Sequence, residues 1–291
     1  MSLFESGHSN GRVSLAAIAE GRAIGAAQSS LTLREVAERL CVGGWPGLQR
    51  MSAADAQQVL GSYLDDVARV DLARLDGTRR HDPARVRRLL VSLARNTATE
   101  ASVASIARDT GGEGAAIDSD TVSEYLTALE RLMIIEDQPS WAPHLRSRDV
   151  VRKAAKRHFT DPSLAAAALN ASPARLLSDP NTLRLLFESL VVRDLRVYAQ
   201  SFGAQIRHYR DSAGREVDAI IEMPDGAWTA VEVKLGTSQV DDAVASLDAF
   251  VQRIDTAQSG APRARMVMTV GGYAYTRDDG VLVVPIGALG P

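Results

Sequence analysis

The stretch that most constrains this chain is 208–236, which reads as two β-strands joined by a turn. Strand-like runs at Glu216–Glu222 (EVDAIIE) and Trp228–Lys234 (WTAVEVK) flank Pro224, Asp225 and Gly226. Pro-Asp-Gly is turn chemistry, so the two runs form a hairpin. A further strand is expected near Gln205–Arg210, after a helix over 181–200 that buries Leu183, Leu186, Phe187, Leu190, Val191 and Val197. Beyond the hairpin, Val240, Val244, Leu247, Phe250, Val251 and Ile254 recur at helical spacing over 239–254. ARMVMTV (264–270) and VLVVPI (281–286) read as short buried strands. The order α-β-β-β-α-β with one further strand predicts an α/β (α+β) fold, a mixed sheet flanked by helices.

Strand side chains alternate faces. Asp218 therefore shares a side with Ile220 and Glu222, and Glu232 shares one with Lys234. In an ordinary hairpin register Asp218 and Glu232 converge. Two carboxylates near backbone carbonyls suit a hard cation such as Mg²⁺. Such an ion polarises a phosphate and generates hydroxide from bound water. Lys234 beside it would orient or deprotonate that water, or neutralise transition-state charge. Glu188, off the apolar stripe of the preceding helix, is expected to join them. The candidate catalytic residues are thus Asp218, Glu232 and Lys234, and the candidate metal ligands Glu188, Asp218 and Glu232. Glu-x-Lys at a strand end also occurs as a plain solvated pair.

The first half reads as helical. Residues 1–30 are Gly-, Ser- and Ala-rich and suggest a loosely packed arm, followed by a capping box from Thr32 to Glu35. GGWPG at 43–47 breaks that helix, with Trp45 as a packing anchor. A helix capped by Ser52 carries Val59, Leu60, Tyr63, Leu64, Val67 and Val70 on one face. Asp82-Pro83 starts another, with Val86, Leu89, Leu90 and Leu93 inward. A short helix surrounds Ile106. Asp118 or Ser119 opens a helix with Val122, Tyr125, Leu126, Leu129 and Met133 on one face, and IIED (134–137) begins a strand. Three helices followed by a strand suggest a winged helix. Its third helix exposes Asp120, Glu124 and Glu130, which would repel phosphates, so packing or protein contact suits it better than a DNA groove. The expected domains are an arm at 1–47, a winged-helix-like domain at 48–174 and the sheet domain at 175–291.

At 144–158 (HLRSRDVVRKAAKRH) the chain concentrates six basic residues against one acid. Arg146, Arg148, Arg152, Lys153, Lys156 and Arg157 are the candidate nucleic-acid contacts in this linker. A net charge of −3 gives no global signature of that kind. The single Cys41 excludes an intramolecular disulfide and fits a reducing compartment. With no long apolar run and no basic leader before an apolar core, the expected location is cytoplasmic, away from membranes. None of the three lysines follows a glycine, so there is no Walker A loop and no ATP site is expected.

Glu188, Asp218 and Glu232-Val233-Lys234 resemble the PD-(D/E)XK nuclease superfamily over about 175–291, with Val217 where the motif has proline. That resemblance implies a Mg²⁺-dependent DNA endonuclease, Asp and Glu as ligands, Lys assisting water attack and the helix Glu as an additional ligand. A wider resemblance covers YLDDVARVDL (63–72), KRHFTDPSLAAAAL (156–169), LFESLVVRDL (186–195) and YRDSAGREVDAIIE followed by VEVKLG. These segments resemble the DUF4143 C-terminal region of prokaryotic AAA-type ATPases. MSLFESGHSNGRVSL and VGGWPG resemble the end of the ATPase domain and the junction after it, which implies a truncated or split member. Three readings follow: a metal-dependent nuclease, a non-catalytic nucleic-acid- or protein-binding regulatory module, and a remnant that joins a separate ATPase subunit.

Overall fold

The structure is a computed structural model that describes residues 1–72, 82–111, 117–143 and 154–291. Two compact units divide it. The sheet unit comprises residues 1–36, 138–155 and 190–291, and the helical unit residues 37–137 and 156–189. The expected succession of three domains is thus replaced by two units that interleave along the chain. In chain order the elements are β1 (Val13–Ser14), α1 (Leu15–Ala19), β2 (Ala27–Ser29), α2 (Leu33–Val42), α3 (Ala53–Asp66), α4 (Pro83–Arg95), α5 (Val103–Gly111), α6 (Ser119–Arg131), β3 (Ile135–Gln138) and β4 (Lys156–Phe159). They continue as α7 (Pro162–Ala168), α8 (Pro173–Ser178), α9 (Pro180–Ala199), β5 (Gln205–Arg210), β6 (Glu216–Glu222), β7 (Trp228–Val233), α10 (Val240–Val251), α11 (Thr256–Ser259), β8 (Ala264–Thr269), β9 (Gly272–Thr276), β10 (Leu282–Pro285) and β11 (Leu289–Gly290).

In the sheet unit seven strands run in the order β2-β9-β10-β8-β7-β6-β5. The β7–β8 and β8–β10 pairs are parallel and the others antiparallel, so the sheet is mixed, as expected. All six residues of β7 are buried. On one side α10 lays Val240, Val244, Leu247 and Phe250 against Ile220, Trp228, Ala230 and Val267. Trp141 and Trp228 stack with ring centroids 4.9 Å apart. The Trp228 indole donates to the Ser259 and Gly260 carbonyls, so its one polar atom is paired in the interior.

The loosely packed arm expected at 1–30 is instead part of this unit. Leu3, Val13, Leu15 and Ile18 are buried. β2 closes one edge of the sheet beside β9, and β1 pairs in parallel with β11. The Leu3 amide donates to the Asp194 carboxylate at 2.9 Å, and the Arg193 guanidinium donates to the other oxygen at 2.7 Å. These partners lie far away in sequence, so composition of the arm alone does not announce them.

The expected helix caps are present. Thr32 and Glu35 exchange bonds as a capping box, and in the helical unit Ser52, Asp82 and Asp118 each accept an amide of the first turn. Trp45 donates to Ser163 Oγ at 3.0 Å, as befits an anchor. Three apolar assignments fail: Val59 faces solvent from α3 at 45% exposed, and the other two fail for local reasons. After α3 the backbone widens to a π turn over Val67–Asp71, which shifts the helix phase, turns Val70 outward and brings Leu72 inside. α6 ends at Arg131, so Met133 sits beyond its cap at φ 56° and 76% exposed. β3 and β4 form a two-stranded sheet after α4–α6. No helix among the described residues is long and apolar enough to cross a membrane.

One ion pair lies deep in the helical unit. Lys156 Nζ of β4 is 2.6 Å from Glu188 Oε1 of α9, with side-chain exposures of 1% and 2%. Arg184 stands 3.6 Å from the other Glu188 oxygen. Removing one partner of such a pair leaves a charge stranded out of water. We expect Lys156→Met to lose about 3–5 kcal/mol in urea denaturation, and the double change Lys156→Met/Glu188→Leu to recover most of it. A near-neutral single variant would show that the pair is not buried. A second expectation concerns Cys41, whose thiol burial pushes up to about 12. Only the thiolate reacts, so at pH 8 the folded protein should label with a disulfide reagent at least ~1,000-fold more slowly than the urea-unfolded chain. Comparable rates in the two states would contradict the burial.

Candidate functional site

The β6–β7 ladder pairs Ile220 with Ala230 and Ala219 with Val231. The paired register ends one residue short of Asp218 on β6 and of Glu232 on β7. There the ladder stops. The Val233 amide, just past its end, donates to Asp218 Oδ2 at 2.8 Å, so a side chain replaces the main-chain acceptor. On its other edge β7 stays tied to β8, with Lys234 N donating to the Met268 carbonyl at 2.9 Å. Gln138 Nε2 donates to the Asp218 and Arg207 carbonyls, pinning β6 to β5 at the same level. Asp218 is thus held by the Val233 amide on its carboxylate and by Gln138 on its carbonyl.

Glu232 is 4% exposed and Asp218 8% exposed. Carboxylates this deep need partners. Lys234 Nζ donates to Glu232 Oε2 at 2.6 Å, and Ser246 Oγ of α10 lies 3.4 Å from Oε1. Lys234 remains about a quarter exposed. Its ammonium thus sits at the rim, beside a carboxylate and within reach of solvent.

Glu216, which the sequence reading passed over, joins the set. Carboxylate oxygens of Glu216 and Asp218 come within 4.8 Å of each other. Two oxygens on opposite sides of one ion stand about 4.2 Å apart for Mg²⁺ and about 5 Å for Ca²⁺. The pair thus matches a single hard cation with little or no movement. The signal was available: Glu216 precedes Asp218 by two residues on one strand, the spacing that linked Glu232 to Lys234. Glu188, the ligand expected from the helix, belongs to the helical unit, where Lys156 and Arg184 are its cationic neighbours.

The basic linker reads differently in three dimensions. Lys156 cannot touch a nucleic-acid backbone from its place in β4, because its ammonium is spent on Glu188 and shut away from solvent. Arg157 alternates to the other side of β4, 15% exposed, and donates to Asp137 at 3.1 Å. Both cations pair within the protein, a possibility that charge density along the sequence does not distinguish. Arg146, Arg148, Arg152 and Lys153 lie outside the described residues.

Comparison with known proteins divides the chain in a similar way. A family model described as a domain of unknown function, DUF8612, matches residues 33–175. No curated protein matches, and no solved structure matches. The C-terminal stretch that carries Glu188, Glu216, Asp218, Glu232 and Lys234 is matched by the model of a second domain of unknown function, DUF4143, over residues 185–289.

Proposed function

We propose that the sheet unit is a Mg²⁺-dependent, PD-(D/E)XK-like nuclease domain that hydrolyses DNA phosphodiester bonds. The observation that carries this reading is the Glu216–Asp218 carboxylate pair, within 4.8 Å, beside the buried Glu232 and its Lys234 partner. In this reading Asp218, Glu216 and Glu232 hold the cation, and Glu188 is assigned to it through the nuclease motif. Bound Mg²⁺ would polarise the scissile phosphate and acidify a water. Lys234, anchored by Glu232, is placed to orient that water or to neutralise charge on the phosphate. The helical unit, with three helices before two strands, is read as winged-helix-like. The acids exposed on α6 favour a protein surface, such as an AAA-type ATPase supplied by another chain.

One observation favours a second reading, a regulatory module that binds without cutting. Glu188 is already neutralised by a buried lysine, and Lys234 by Glu232, so both ion pairs are complete without a metal. The two readings part in one experiment. Plasmid and single-stranded DNA are incubated with the full chain in Mg²⁺, Mn²⁺ or EDTA. The nuclease reading expects metal-dependent cleavage that falls at least ~100-fold in Asp218→Ala and in Lys234→Met. It also expects Mg²⁺ to raise the melting temperature of wild type and not of Asp218→Ala. No cleavage on any substrate, or equal cleavage in the variants, rejects it in favour of the binding module.

A further inference from the structure

A small cavity of about 120 Å³ opens against the candidate site. Glu216 and Ser246 line it; a Glu216 carboxylate oxygen lies within 4.8 Å of one of Asp218, and Ser246 Oγ is 3.4 Å from Glu232 Oε1. Tyr209 and Phe250, with ring centroids 4.7 Å apart, line the cavity. Arg215, Arg253 and Asp211 also line it. A water takes about 30 Å³, so the space holds roughly four waters. That is room for a phosphate group and too little for a nucleotide, whose pockets run from about 300 Å³ upward.

The two arginines are available for such a group. Arg253 is exposed and forms no ion pair among the described residues. Among the described residues Arg215 has one loose ion-pair partner, Asp211, at 3.9 Å, and its side chain is 39% exposed. Asp211 is engaged elsewhere, accepting the Ala213 and Arg215 amides at 2.8 and 2.9 Å to shape the β5–β6 loop. Guanidinium forks match phosphate oxygens, and two arginines line this one cavity.

We propose that this cavity takes a backbone phosphate of the nucleic-acid strand, one next to the phosphate being cut, held by Arg215 and Arg253. The inference rests on the nuclease reading above, and extends it to how the strand is positioned. It carries a consequence of its own. A cation held by Glu216 and Asp218 would attract the neighbouring phosphate, so strand binding should strengthen with the divalent metal. Arg215 and Arg253 are positioning residues: they set where the strand lies and do not touch the reacting atoms.

The test uses the full chain carrying Lys234→Met to suppress turnover. Binding of fluorescent single- and double-stranded DNA oligonucleotides is followed by anisotropy against salt, with Mg²⁺ and with EDTA. Adding Arg215→Ala and Arg253→Ala should weaken Mg²⁺-dependent binding about 10-fold or more. It should also flatten the log–log salt slope by about 0.7–0.9, the loss of one phosphate contact. Arg263→Ala, which removes a half-exposed arginine near the hairpin turn, should change neither quantity. If the parent binds DNA and the double variant binds it equally well, the phosphate subsite is wrong while the nuclease reading stands. An equal loss in Arg263→Ala, or binding unaffected by EDTA, also overturns the subsite. If the parent binds no DNA at any salt, the nuclease reading and the subsite fall together.

Discussion

A carboxylate in a strand with every residue buried has to be satisfied from within, and Glu232 imposes that condition on the centre of the sheet. β7 hydrogen-bonds to β6 on one edge and β8 on the other, and no residue of it reaches solvent freely. Water cannot solvate the acid, so Lys234 and Ser246 do. Lys234 can reach back because it follows by two residues and shares a side of the strand. Ser246 can reach because α10 packs its apolar stripe on the same face, through Val240, Val244 and Leu247. The helix that builds the core thereby also supplies a polar neighbour to the site. The apolar packing and the chemistry are not separable here.

The same hairpin shows what a sequence makes legible. The strands at 205–210, 216–222 and 228–233 and the helices around 181–200 and 239–254 fall almost where period and turn chemistry put them. Their information is local: Pro-Asp-Gly for the turn, helical spacing for α10. β1, β2, β9 and β11 were not seen. Each is two to five residues long, too short for a period. β2 is defined by pairing with residues some 245 positions later, Ala27 with Ala274 and Ser29 with Gly272. Asp194 carries the same lesson. On α9 it looks like a solvated acid, yet it is fully buried because a distant amide, that of Leu3, needs an acceptor.

Charge was the least legible property. A run of basic residues suggested a phosphate contact at Lys156, and the fold turned that lysine inward onto Glu188. Alternation along β4 decides the outcome, with Lys156 and His158 buried and Arg157 on the other side. The sequence records that a strand begins there only weakly, since four residues hold little pattern. Glu216 failed in the opposite sense. Its period was visible, but it stood at the strand's first position, where an acid passes for a solvated end. Only the approach of its carboxylate to that of Asp218 sets it apart.

That approach is costly if nothing intervenes. Two like charges 4.8 Å apart repel by about 1 kcal/mol in water and by about 3 kcal/mol at an effective dielectric near 20. Part of the cost is offset on Asp218 by the Val233 amide, a donor fixed by the end of the ladder. Lys234 is itself paired with Glu232 at 2.6 Å, on the strand next to the one that carries Glu216 and Asp218. A divalent cation would reverse the sign of the interaction between Glu216 and Asp218 from repulsion to shared attraction. The same cation would attract a phosphate entering the adjoining cavity, which Arg215 and Arg253 line. Acids that share a cation and arginines that hold an anion would then stand side by side. Read together, they are complementary halves of one electrostatic arrangement.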